Sequence, residues 1–223
     1  NPILNRSSGG GLGTEYAALH MGGQPTISCT ELWNGTSWSE VNNMITARAN
    51  NQGVGTQNAG LMFGGNPGIS TTEEFNGTGW STGGALITST YGAAGAGIQN
   101  AGLRIGGNSS PATVACTEHY DGSTWSAGGA INHARWWLGG SGTQNAIVIF
   151  GDDGYQGCTE EYNGTTWSNS TLLITGRGGM GSHAAGNQSA ALAAGGMKTG
   201  PNTTVTCTEE YSATYVKTVC LNS

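Results

Sequence analysis

"CTEEYNGTTW" (residues 158–167) packs a thiol, two carboxylates and two large aromatic rings into ten positions, and taken alone it has the look of an active site. The same wording stands at three other places, as "CTELWNGTSW" (29–38), "TTEEFNGTGW" (71–80) and "CTEHYDGSTW" (116–125), and in weaker form as "CTEEYSATY" (207–215). A catalytic centre is needed once, whereas a structural unit is needed in every repeat. The motif is therefore read as architecture.

The remainder of each unit repeats as well. Upstream of each copy stands a small-residue segment: "GTEYAALHMGG" (13–23), "GTQNAGLMFGG" (55–65), "GIQNAGLRIGG" (97–107), "GTQNAIVIFGD" (142–152) and "GNQSAALAAGG" (186–196). The equivalent glutamates Glu31, Glu73, Glu118, Glu160 and Glu209 are 42, 45, 42 and 49 residues apart. A period in this range, built from short alternating segments without helical periodicity, is that of propeller blades rather than helical repeats. The chain is read as a single all-β domain over residues 1–223. It is expected to be a five-bladed β-propeller of four-stranded antiparallel blades, with units near 6–51, 52–93, 94–138, 139–180 and 181–223. In the second unit the strands are expected at about 48–56, 58–63, 71–76 and 79–83. Closure is expected to bring residues 1–8 beside the last unit, because "PILNR" resembles "MITAR" (44–48).

Within a unit the cues run arginine, apolar run, Gly-Gly, Glu-x-aromatic, turn, tryptophan. That order resembles the kelch repeat over essentially the whole chain, which implies a propeller but little about function, since kelch propellers host enzymes, adaptors and lectins alike. The wording of "TEEYNGTTW" (159–167) and "GTQNAGLMFGG" (55–65) is also similar to repeats in virion and tail-fibre proteins of environmental bacteriophages. That resemblance implies a place on a virion surface, other virion proteins as partners, and host-surface glycan as a candidate ligand.

Glycine supplies 41 of 223 residues and charged residues only 9%, yet the apolar segments recur on schedule, which excludes disorder as the reason for the low charge. A net charge of −6 with seven basic residues leaves no basic face, so nucleic acid is not expected as a partner. No apolar run approaches membrane-spanning length, and no membrane is expected as a partner. The chain begins "NPILNRSS", with neither Met nor a signal peptide, and is read as a processed product or a segment of something longer. Cys29, Cys116, Cys158 and Cys207 share one repeat position, which places them in different blades, beyond the roughly 4.4–6.8 Å Cα separation of a disulfide. They are read as small buried hydrophobes. Only Cys207 and Cys220, in neighbouring strands of the last unit, are placed to pair, and five cysteines without a framework suit folding in a reducing cytosol.

Asn34-Gly35, Asn76-Gly77, Asp121-Gly122 and Asn163-Gly164 are read as hairpin turns between the third and fourth strands. Asn34, Asn76 and Asn163 also form sequons, but Asp121 at the same place keeps the turn and abolishes the glycan acceptor, so turn chemistry is the better account. Arg6, Arg48, Arg135 and Arg177 share one repeat position, where the third unit's lead-in has Thr90; of the five arginines only Arg104 stands elsewhere. The repeated glutamates lie on one strand face. They are expected to be buried and hydrogen-bonded to glycine-rich backbone or paired with arginine, because a buried carboxylate must be satisfied.

Function is then sought in what does not repeat. In an antiparallel four-stranded blade the a–b and c–d turns emerge on one face and the b–c and d–a loops on the other. The second face collects "QPTIS" (24–28), "NPGIS" (66–70), "NSSPATVA" (108–115), "DDGYQG" (152–157) and "MKTGPNTTVT" (197–206). Variable loops on a rigid ring are where binding is normally placed. Tyr91 and Trp136 occupy equivalent positions where other units have Ser7, Ala49 and Gly178, and Trp137 follows at once. Flat aromatics near polar loops suit sugar stacking, against the plainer role of filling a gap between blades. Asp152, Asp153 and Tyr155 are secondary candidates; two carboxylates in a glycine turn fall short of the six to eight oxygens calcium takes.

No catalytic residue, metal site or cofactor is assigned. "YDGSTW" (120–125) is one residue short of the sialidase Asp box, and an arginine cluster for a substrate carboxylate is lacking. His20, His119, His133 and His183 fall in different units at unrelated repeat positions, and no nucleophile–base pair is readable. The expectation is a non-enzymatic recognition or structural module of a bacteriophage virion. The alternatives are a secreted lectin-like propeller and a glycan-processing propeller enzyme.

Overall fold

The computed structural model describes residues 3–180, 185–198 and 203–219. It is a β-propeller of five four-stranded antiparallel blades, the architecture the kelch resemblance implies. Blade 1 holds β1 (Gly10–Gly13), β2 (Ala18–Met21), β3 (Thr30–Trp33) and β4 (Trp38–Val41). Blade 2 holds β5 (Gln52–Thr56), β6 (Ala59–Phe63), β7 (Thr72–Phe75) and β8 (Trp80–Thr82), close to the expected bounds. Blade 3 follows with β9 (Ala94–Ile98), β10 (Ala101–Ile105), β11 (Thr117–Tyr120) and β12 (Trp125–Ala127). Blade 4 is β13 (Gly139–Thr143), β14 (Ala146–Phe150), β15 (Thr159–Tyr162) and β16 (Trp167–Asn169), and blade 5 is β17 (Ala185–Asn187), β18 (Ala190–Ala194), β19 (Thr208–Ser212) and β20 (Tyr215–Val219). His183, Cys220 and the tip of the 197–206 loop, three subjects of the sequence reading, lie outside the described residues.

Two-residue periodicity gives each blade two apolar faces, one toward each neighbour. Leu12, Leu19 and Met21 face Met62 and Phe75 of blade 2. Val54, Leu61 and Phe63 in turn face Tyr120 and Trp125 of blade 3. Blade 3 meets Ile147, Tyr162 and Trp167, and blade 4 meets Ala191, Ala193 and Tyr211 in the same way. Tyr120, Tyr162 and Tyr211 are buried against the preceding blade and reach Glu74, His119 and Glu161 of that blade with their hydroxyls. Burial and the Glu74 carboxylate push Tyr120 up to about 12.

The repeated wording is thereby explained as joinery. In blades 2 to 5 the glutamine of the a–b turn (Gln57, Gln99, Gln144, Gln188) donates through Nε2 to two backbone carbonyls of the preceding blade; Gln144, for example, bonds Gly102 O at 2.9 Å and Tyr120 O at 2.7 Å. The fourth-strand tryptophans Trp80, Trp125 and Trp167 donate Nε1–H to Thr30, Thr72 and Thr117 of the preceding blade. At the c–d turns only the glycines are left-handed (Gly35, Gly77, Gly122, Gly164). The Asn or Asp before each glycine instead accepts two backbone N–H bonds from the residues closing a four-residue loop, as Asn34 does from Thr36 and Ser37 at 2.9 Å. Asp121 does the same, and these bonds hold its carboxyl down at about 2.

The repeated carboxylates are buried and paired with arginine: Glu31 with Arg6, Glu73 with Arg48, Glu160 with Arg135 and Glu209 with Arg177. Each also accepts at least one N–H from the loop entering its blade, as Glu73 does from Ile45 and Thr46. The second guanidinium nitrogen binds the carbonyl just before the "TE" pair, at Cys29, Thr71, Cys158 and Cys207. Burial pulls Arg48 and Arg135 below the ordinary arginine value, and Glu73 and Glu160 oppose that shift.

Two readings are corrected. Arg104, the arginine left outside the repeat, is fully buried and pairs with Glu118, with Nη1 on Gly106 O and Cys116 O. It makes from strand β10 the contacts that Thr90 cannot make from the lead-in. The cysteines are not buried hydrophobes: Cys29 and Cys158 are half-buried and Cys116 is exposed, all three as free thiols, while Cys207 is disulfide-bonded. The lead-in is held by blade 1, through Leu4 and Arg6 to Glu31 and Ser7 to Gln24. Ser8 and Gly9 also share the lining of one cavity with Met197 of the last unit, as closure is expected to bring about.

Candidate functional site

Where the lead-in of each blade turns into its innermost strand, one residue per blade is left-handed: Ser8 (φ 56°), Asn50 (51°), Gly92 (63°), Trp137 (58°) and Gly179 (61°). These five circle the mouth of the central channel on the variable-loop face. Backbone bonds link them blade to blade: Asn50 N–H to Ser8 O, Gly92 to Asn50, Trp137 to Gly92 and Gly179 to Trp137, at 2.7–3.0 Å. Glycine fits such a turn freely, and asparagine and serine are small and polar. A tryptophan there is a conformational outlier that costs of order 1–3 kcal/mol, and such strain concentrates at functional positions.

Trp137 lines a cavity of about 310 Å³ at this mouth, together with Ser8, Asn50, Asn51, Met180 and Met197. Trp136 packs on Trp137 with ring centres 4.4 Å apart, and Tyr91 meets Trp136 edge to face at 5.5 Å. All three rings are half-buried, so each gives one side to its neighbours and keeps another for solvent. Gly92 lies under the pair: a β-carbon there would stand 2.9 Å from Trp136 Cε3 and 3.1 Å from Trp137 Cδ1. Asn51 is 4% exposed, and its Oδ1 has no hydrogen-bond partner. An unpaired buried amide oxygen beside stacked indoles suits a ligand carrying both hydroxyls and flat apolar faces. The described lining residues include no ionisable side chain.

The structure thus brings Tyr91, Trp136 and Trp137 together and leaves the secondary candidates apart. Asp152 is buried at 6% exposure and accepts the Gln156 N–H at 2.7 Å, which makes it a loop cap. Asp153 is exposed and Tyr155 half-buried in a left-handed turn, and neither lines the mouth. No group of three or more His, Cys, Asp or Glu placed to hold a metal occurs among the described residues. Sequence reasoning missed Asn50, Asn51 and Gly92, although the "YG" of 91–92 facing the "WW" of 136–137 carried the signal. It also missed a larger cavity, about 800 Å³, at the opposite end of the channel.

No protein-family model matches the chain, and no curated protein matches it.

Proposed function

We propose that the chain is a non-enzymatic recognition module of a bacteriophage virion, carried on a tail fibre or other surface appendage. In this reading it contacts host-surface glycan, or a neighbouring virion protein, through the variable-loop face. The observation that supports a recognition role is Trp137, held in a left-handed turn at the channel mouth against its own backbone preference, with Trp136 packed on it and Tyr91 edge-on to Trp136. The virion setting rests on the wording of the repeats. The disulfide at Cys207 favours a second reading, a secreted lectin-like propeller, because such bonds persist in oxidising compartments.

The double variant Trp136→Ala/Trp137→Ala tests the recognition role on an array of bacterial surface glycans and by adsorption to host cells. Each stacked ring contributes about 0.5–1.5 kcal/mol beyond its buried area, so the pair is expected to weaken binding to undetectable levels while the unfolding midpoint stays near that of the parent chain. Unchanged binding by a folded double variant contradicts the reading.

A further inference from the structure

Four blade-to-blade junctions are built alike, and the fifth, between blades 5 and 1, is not. Four of the turn residues that circle the channel mouth pass a backbone bond to the next blade, but among the described residues Ser8 N–H and Gly179 O do not join. Leu192 is 42% exposed, whereas its equivalents Leu19, Leu61, Leu103 and Val148 are at most 1% exposed. Across the seam, Trp33 and His20 are half-buried where Phe75, Tyr120, Tyr162 and Tyr211 are fully buried at the Trp33 position and Met62 and Arg104 at the His20 position. The clamp explains the difference. The a–b turn residue of blade 1 is Glu15, in the place of Gln57, Gln99, Gln144 and Gln188. A carboxylate side chain has no N–H to give, so it cannot bridge the Ala191 and Tyr211 carbonyls as glutamine would.

The space left is the 800 Å³ cavity, which runs from the turn-face end of the channel along the back of blade 1. Among the described lining residues Thr14, Glu15, His20, Trp38 and Ser141 supply the side-chain functional groups, between walls of glycine and small apolar residues. Ser141 is 3% exposed and its hydroxyl has no partner. Trp38 is half-buried, and no bond from its Nε1–H to Thr208 matches those of Trp80, Trp125 and Trp167 to their threonines.

We propose that this seam is a second binding site, for a neutral saccharide, and that Glu15 keeps it open. The volume falls in the range of small-ligand sites, and a half-buried indole packed on Trp33, with a hydroxyl, a carboxylate and an imidazole lining the same cavity, is the chemistry that grips a sugar ring and its hydroxyls. No lysine or arginine stands among the described lining residues, which disfavours an anion. Arg6 Nε donates to His20 Nδ1 at 3.3 Å and is itself paired with Glu31, so no net charge stands behind that wall, and choline reports on the single carboxylate among those lining residues, Glu15. The site shares no residue with the channel mouth on the other face, and the proposal does not depend on the function proposed there.

Isothermal titration of the full chain tests this with maltotetraose, cellotetraose and chitotetraose, with choline chloride and sodium sulfate as cationic and anionic probes. At least one tetrasaccharide is expected to bind, Trp38→Ala to weaken it about tenfold, and Trp136→Ala/Trp137→Ala to leave it unchanged. Glu15→Gln, which supplies the fifth clamp, is expected to raise the melting temperature and to weaken the same saccharide about tenfold. The proposal is overturned if no tetrasaccharide binds at ~10 mM, if choline or sulfate binds in their place, or if Trp38→Ala and Glu15→Gln both retain parental affinity. A Glu15→Gln chain that binds as before and melts no higher overturns the role given to Glu15.

Discussion

Arg104→Met is expected to lower the unfolding free energy by about 3–5 kcal/mol, because it leaves the Glu118 carboxylate buried without its counter-charge. Adding Thr90→Arg to the same chain is expected to return most of that loss. The reason lies in the repeat. In blades 2 and 4 the arginine comes from the lead-in, as Arg48 and Arg135, and the strand position equivalent to Arg104 is apolar, Met62 or Ile149. Blade 3 inverts the arrangement, and Thr90 is fully buried with an unpaired hydroxyl at the place an arginine would start from. Urea denaturation of the parent, the single variant and the double variant measures both steps. A double variant no more stable than Arg104→Met would mean that the two positions do not serve one carboxylate.

Glu73→Ala carries an expected cost of similar size, about 3–5 kcal/mol, since it strands the fully buried Arg48 and also frees the N–H groups of Ile45 and Thr46. A carboxylate that merely accepted backbone bonds would cost only about 1–3 kcal/mol. The unfolding midpoint therefore separates the two accounts. Full stability combined with lost ligand binding would convert the repeated glutamate from joinery into a binding group.

Most of the fold was legible because its signals are local and repeated. The Asn-Gly turns, the alternation within "GLMF" and "TEEF", and the fixed spacing of Glu73 from Trp80 each constrain a strand or a hairpin without reference to the rest of the chain. The Arg104 substitution was not legible, because strand β10 and the lead-in at Thr90 converge on Glu118 only in three dimensions. For the same reason Gln57 and its equivalents read as mere turn residues until their reach into the preceding blade was visible. In the candidate site, Tyr91, Trp136 and Trp137 could be picked out as departures from the repeat. The left-handed turn that makes Trp137 unusual could not, since among the five equivalent positions only the glycines Gly92 and Gly179 share a residue type. Asp152 misled because a carboxylate in a loop looks the same whether it faces solvent or caps its own backbone.

The central claim is that repeated residues hold the propeller together and that Trp137 is kept, against its backbone preference, for recognition. The most direct measurement is on Trp137→Asn, which installs the residue that blade 2 carries at the same left-handed position, Asn50. Paired urea denaturation and glycan-array binding should show a chain at least as stable as the parent, through relief of strain of about 1–3 kcal/mol set against the lost ring contacts, together with lost binding on the variable-loop face. A variant that is clearly less stable and still binds would show that Trp137 fills a gap between blades, and would contradict the account.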